Sequence, residues 1–491
     1  MGRPAGFKRI LWLASALGMA APALADDPQP TTIQSRVEAV LGAAPKGARF
    51  GLLVVDEAGT VLVAVNPDQR FIPASNTKMF TTAAAYALLP NINQPDLVGG
   101  ARAWLQSGKR KSVRDVVLMG MGDARMSSAP GCLIDCLAAL ADAVAAKSKL
   151  VGDVIGDDRR FADQRWSPGM SWNNLGSNDA TAASALSLDG NELVVRAIPR
   201  ALGQAPKLEV PPYVIVINQA QTSAAGGKPT LMLEHTLNSR EFRLYGNLPL
   251  GVGAWSERIG VDDAAHFTAW TFANMLAARG VKVTGEVRAR HRPYLPVPAG
   301  GSGTIAPLTP EPGSITLSPA PLAEDVAIIN KISQNLHAEL LLRRIGLVAG
   351  SGSLEDSLAV ERAVFDRAGI AREGYDFSDG SGMSTYNRVS PRAAVALLRW
   401  IAAQPWGPAW YASLPVAGVD GTLQHRFVGT PLAGNLAAKT GTLNATNAIS
   451  GTFRAASGRQ LTFAFFANDV PDGQSVLAAM ETVLVAIAAS D

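Results

Sequence analysis

A serine and a lysine three residues apart, Ser75 and Lys78, stand at the head of the apolar run "PASNTKMFTTAAAYALL", residues 73–89. The plain reading is a helix cap, since serine is a favoured N-cap and proline marks first turns. A lysine is less ordinary there, because the positive end of the helix dipole disfavours a cation. The chemical reading makes Ser75 a nucleophile. A hydroxyl is a poor one and needs a base within hydrogen-bond reach. Lys78, one turn on and on the same face, is the nearest candidate. Its ammonium must first lose a proton, which burial and a neighbouring cation both promote.

A lone Ser-x-x-Lys arises about once by chance in a chain of this length. Two further patterns change that. "KISQNLHAEL" puts Ser333 and Asn335 at the start of a helix, and "AAKTGT" puts Lys439, Thr440 and Gly441 on a strand. In this arrangement Lys439 is the cation that depresses Lys78, and Ser333 relays a proton to a leaving amine. Asn335 holds Lys78 and a substrate amide. Backbone N–H groups at Ser75 and Thr442 would meet a developing oxyanion. No Ser-His-Asp set competes; His337 and His425 read as packing and surface residues. The five histidines form no ligand spacing with the cysteines, so neither a metal nor a cofactor is expected.

The elements that must position these residues are legible in outline. "FGLLVVDEAGTVLVAVN" reads as strand, turn at Asp56 to Gly59, and strand, with the Ser75 helix directly after. Near the other end, residues 435–469 alternate like three strands, and a final helix spans Val476 to Ala489. Strands at both ends with helices between predict one α/β sheet built from the chain's two termini. From about Asp96 to Ala306 the pattern is short strands, Gly/Pro turns and one clear helix, "AAHFTAWTFANMLAARG". Helical sequence resumes at Leu322. The reading is an α/β (α+β) terminal-halves domain interrupted by inserted β-rich modules.

Bulk properties narrow the class. With 491 residues, 47% hydrophobic and 17% charged, the chain is globular and long enough for two or three domains. A net charge of +3 with no basic block gives no sign of a nucleic-acid partner. Arg3, Lys8 and Arg9 precede the apolar run "ILWLASALGMAAP", closed by Ala23, Leu24 and Ala25. That is a signal-peptide layout, with residues 1–25 removed, and no later segment is apolar enough for a transmembrane anchor. An exported chain makes a disulfide between Cys132 and Cys136 reasonable; two independent thiols are the alternative.

The three motifs together are the set of penicillin-binding proteins and class A β-lactamases. The chain resembles one branch, the D-alanyl-D-alanine carboxypeptidase/endopeptidases of the penicillin-binding protein 4 (DacB-like) type, serine peptidase family S13. The similar stretches are "RFIPASNTKMFTTAAA", "GDVIGDDRRF", "WSPGMSWNNLG", "DGSGMSTYNRVSP", "SLPVAGVDGTL" and "AAKTGTLNATNAISG". The resemblance implies a serine β-lactamase/transpeptidase-like domain at 26–92 and 312–491. It implies an inserted domain II at 93–184 and 258–311, and a domain III at 185–257. It further implies a periplasmic enzyme that is acylated at Ser75 by peptidoglycan stem peptides and cross-bridges and blocked covalently by β-lactam antibiotics. A homodimer is left open. Thr440, Gly441 and Thr442 are carried over as substrate-binding. Asp157 resembles an acid that reads an amino group on the substrate's third residue; a surface turn carboxylate is the alternative. Leu443 packs on that side chain in this reading and is an ordinary strand residue otherwise. Departures are Gln334, where Asp is usual, and Thr385, where Arg is expected and an anion contact loses its support. The cysteine region does not match the family pattern either.

Two other readings compete. A serine β-lactamase shares the acylating groups but needs a deacylating Glu, for which the sequence offers no positioned candidate. A non-catalytic wall-binding protein would keep the fold without turnover.

Overall fold

The computed structural model describes residues 32–108, 113–294 and 311–490. The signal-peptide expectation lies outside them. Helix α1 (Ile33–Gly42) leads to the hairpin β1 (Arg49–Val55) and β2 (Val61–Val65). A 3-10 turn at Ala74–Asn76 runs straight into α2 (Thr77–Leu88). Then come β3 (Arg102–Ser107), β4 (Arg114–Met119), α3 (Leu137–Lys147), β5 (Val154–Ala162), α4 (Ala264–Ala278), β6 (Val287–Arg292) and β7 (Ile315–Thr316). Five helices follow: α5 (Leu322–Lys331), α6 (Asn335–Gly346), α7 (Leu354–Arg367), α8 (Pro391–Ala402) and α9 (Gly407–Ala412). The chain closes with β8 (Ala437–Leu443), β9 (Thr446–Arg454), β10 (Gln460–Asn468) and α10 (Leu477–Ser490).

The termini share one antiparallel sheet of order β2-β1-β10-β9-β8. Alternation along β1 shows how it is sandwiched. Leu52 and Val54 face the layer that includes α1 and α10, while Leu53 and Val55 face the layer that includes α2, α6 and α8. Almost every residue of α2 is buried, including Lys78. An Ala-rich helix suits that place, because small side chains let neighbours approach on all sides.

The second sheet, of order β6-β5-β4-β3-β7, is mixed: β4, β5 and β6 are parallel, and β3 and β7 are antiparallel to their neighbours. Helices α3 and α4 share one core cluster with it. Two helices therefore stand where the sequence reading counted one. "LAALADAVAAK" is alanine-rich and apolar apart from Asp142 and Lys147, so it shows little of the periodicity that marks an amphipathic helix. Cys132 and Cys136 are disulfide-bonded just before α3. Small sheets built from Glu192–Ile198, Lys207–Glu209 and Trp255–Gly260, and from Ile215–Asn218, Met232–His235 and Glu241–Tyr245, fill the middle of the chain.

Candidate active site

Ser75 caps nothing. The position before α2 is Asn76, and no side-chain cap bond is made there. The Ser75 hydroxyl instead meets Lys78 Nζ at 2.9 Å. Lys78 has two further contacts, Asn335 Oδ1 at 2.6 Å and the Ser381 carbonyl oxygen at 2.5 Å. Both are obligate acceptors, whereas a hydroxyl can donate. A neutral amine has two N–H bonds and one lone pair, so this set of partners fits it completely: two hydrogens to the acceptors, the lone pair to the serine.

Burial drives the amine towards that state. Desolvation brings the Lys78 pKa down to about 7, against the pull of Asp379, Glu339 and Asp179, which favour the charged form. Lys439 is also fully buried and held well below the usual lysine range, by desolvation first and by repulsion from Lys78 second. Burial, rather than the second cation, is thus the main agent at Lys78. Lys439 Nζ donates to Ser333 Oγ at 3.0 Å and to its neighbour's carbonyl, Thr440 O, at 2.9 Å. Neither lysine forms an ion pair with a carboxylate among the described residues.

Backbone detail sets these distances. Ser333 sits just before α6 with φ +63°, a conformation that is uncommon for a residue with a Cβ and worth a functional explanation. It turns the chain so that Asn335 opens the helix. Asn335 Nδ2 donates to the Asp179 carbonyl at 2.7 Å, which fixes the side-chain amide so that its oxygen faces Lys78. Strand β8 is pinned to the Ser75 turn by Asn76 Nδ2 on the Lys439 carbonyl, 3.2 Å. Gly441 is required by that approach: a Cβ there would lie 2.8 Å from Pro73 O and 3.0 Å from the Ser75 nitrogen. The Thr440 hydroxyl meets that of Thr422 at 2.7 Å. Thr442 is exposed and Leu443 half-buried at the end of the strand.

Two acids hold the remaining wall: Glu339, which the sequence did not single out, and Asp379, whose turn-rich stretch Asp379–Gly382 reads in sequence either as a wall of the site or as a purely structural turn. Glu339, four residues after Asn335 on α6, accepts from the Gly380 and Ser381 nitrogens, both at 3.0 Å, and from Ser167 Oγ at 3.3 Å. Asp379 accepts from the Gly382 and Ser384 nitrogens and from Asn387 Nδ2. Together they staple the 379–384 loop that presents the Ser381 carbonyl to Lys78. Burial and the Asp379 charge push the Glu339 carboxyl up. The sequence signal for Glu339 was its spacing, one turn beyond Asn335 on the same helix face. Thr385 does not face an anion: its nitrogen and hydroxyl both bond the Gly169 carbonyl.

Asp157 is not part of this network. It lies inside β5, fully buried rather than in a surface turn, with Arg159 bonded to both carboxylate oxygens at 2.6–3.1 Å. Arg290 approaches to 3.9 Å. Ser75, Lys78, Ser333, Asn335 and Lys439, by contrast, come from three segments of the chain and form two neighbouring sets of contacts, Ser75–Lys78–Asn335 and Ser333–Lys439.

This fold, a terminal-halves domain with large inserted sheets, is shared with the crystal structure of penicillin-binding protein 4 (dacB) from Haemophilus influenzae. That match has a TM-score of 0.76 at 21% identity and covers 91% of this chain and 97% of the other. The model of the D-Ala-D-Ala carboxypeptidase 3 (S13) family matches residues 33–490, and the chain belongs to that family. It is 30% identical over 507 residues to a D-alanyl-D-alanine carboxypeptidase of Actinomadura sp. strain R39, covering 99% of this chain and 90% of the relative. With the D-alanyl-D-alanine carboxypeptidase DacB of H. influenzae it shares 23% identity over 458 residues, covering 90% of each.

Proposed function

We infer that this protein is a serine-type D-Ala-D-Ala carboxypeptidase, with D,D-endopeptidase action on cross-bridges, that works through an acyl-Ser75 intermediate on peptidoglycan stem peptides. The carrying observation is the set of partners around Lys78: a serine hydroxyl and two acceptors about a buried amine. As Ser75 Oγ attacks the carbonyl of the penultimate D-Ala, its proton passes to Lys78 Nζ. The oxyanion faces the Ser75 and Thr442 N–H groups, fixed donors of the kind that stabilise such charge. Ser333, backed by Lys439, hands a proton to the departing amine. Water then attacks the ester with the same groups in reverse roles. β-Lactams acylate the same oxygen and block it. Among the described residues the glutamate of this cluster, Glu339, already accepts hydrogen bonds on both oxygens and so is not placed as the deacylating glutamate of a β-lactamase. Export to the periplasm follows from the N-terminal sequence and agrees with the Cys132–Cys136 bond.

The test is Ser75→Ala. The expected result is loss of both D-Ala release from a muropeptide and the penicillin adduct in an intact-mass spectrum, with an unchanged melting curve. A persisting adduct assigns the nucleophile elsewhere.

A further inference from the structure

We propose that the protein binds the glycan strand of its substrate, a neutral oligosaccharide of N-acetylated amino sugars, in a cavity walled by the loop that runs on to Asp179. The cavity measures about 410 Å³, within the range of ligand pockets, roughly 300–1,000 Å³. It lies between the Trp172–Asn174 turn and the small sheets of the middle region, and Trp172, Tyr245 and Trp255 line it. Trp172 is 71% exposed and Met232, on another wall, 59%. Large apolar side chains left in water at the rim of a concave site offer apolar surface, flat in the case of Trp172, to a ligand that is itself half apolar, as a pyranose ring is.

The polar groups select for hydroxyl and amide donors. Arg258 is taken by Glu192 at 2.6 Å and Glu234 by Arg243 at 3.1 Å. Glu257, on the same wall, makes no hydrogen bond or ion pair among the described residues, so its carboxylate is free to accept. Two acidic side chains at the rim, Glu234 and Glu257, make an anionic ligand a poor fit.

Position links this cavity to the catalytic groups. The loop that carries Trp172 is bonded to the strand Trp255–Gly260 through the Gly260 nitrogen and the Gly176 carbonyl. Gly176 is pressed against His235, where a Cβ would lie 2.5 Å from Nδ1. The same loop continues to Asp179, whose carbonyl holds Asn335. The loop that walls the cavity is thus the one that fixes Asn335, and in this proposal a sugar on Trp172 and a scissile bond at Ser75 belong to one substrate.

That last step rests on the hydrolytic reading; sugar binding itself does not. The probe is chitotetraose, free of peptide, titrated into the full mature chain by calorimetry. Binding is expected for the wild type and weakened about five- to tenfold by Trp172→Ala, the scale of one aromatic contact. Trp172→Phe should keep most of it, and Glu257→Gln should weaken it less than Trp172→Ala. On substrates, Trp172→Ala should raise KM for a glycan-linked stem peptide while leaving kcat and the KM for the free peptide unchanged. No binding to the wild type, or equal binding to Trp172→Ala, overturns the proposal. A chain that binds chitotetraose yet releases no D-Ala from any stem peptide fails the hydrolytic reading and leaves the sugar site standing.

Discussion

Two of the clusters that bury charge among the described residues treat it in opposite ways. In the inserted sheet several buried carboxylates have a partner of opposite sign. Asp157 is held by Arg159, Asp153 by Arg288, and Asp158 and Asp263 bracket His291 from either side. Those two carboxylates raise the His291 pKa to about 10, so the ring stays charged. Around Ser75 the two lysines meet only hydroxyls and amide or carbonyl oxygens, and Lys78 falls to about 7. A paired buried charge keeps its ionic form, whereas an unpaired one is forced towards neutrality. Neutrality is what a base requires. Composition alone would call both clusters buried ions; only the pairing tells structure from chemistry.

The comparison is broken most severely by giving the Ser75 cluster a charge it cannot lose. Guanidinium stays protonated at any working pH, so Lys78→Arg should slow penicillin acylation by about 10²–10⁴-fold, the range of a general base. Near-normal acylation by this variant would remove Lys78 from that role. A milder test leaves the chain intact and varies pH. Because the base must be neutral, acylation should be constant above a pH of about 7. It should fall about tenfold for each unit below it, as expected for one titrating base. A limb near 10 would mean that burial does not act on Lys78 as described.

The smallest effect is expected in the other cluster. Asp157→Asn weakens charged hydrogen bonds to a half-exposed arginine, each worth about 1.5–3 kcal/mol at most. It should lower the melting temperature and leave penicillin acylation and stem-peptide hydrolysis changed alike. A selective loss on stem peptides carrying an amine at the third residue would show that Asp157 leaves Arg159 for the substrate.

The five residues proposed to react were legible because each motif is short and its chemistry local: a serine one turn from a lysine, a serine and an asparagine opening a helix, a lysine in a strand. Strands β1, β2 and β8 to β10 were legible for the same reason, through their alternation. What escaped depends on distance in the chain. Glu339 reads in sequence as an ordinary helix residue and becomes a wall of the site only when the 379–384 loop packs on it. The Asp179 carbonyl carries no sequence signal at all. Asp157 illustrates the converse: its motif resembled a recognition acid, and Arg159, two residues on, is the neighbour that takes up its carboxylate.

The terminal sheet has a consequence for how the molecule is made. Strand β1 pairs with β10 across more than 400 residues, Arg49 facing Asn468. Contacts so remote in sequence are formed late and slowly, because a long loop must close before any of them is rewarded. Helix α2 packs against α5, α6 and α7, all made before β8 to β10; the part of the cluster that waits for the last strands is Lys439. A chain emerging N-terminus first therefore presents Ser75 early and the complete cluster only at the end, when β8 brings Lys439 to Ser333.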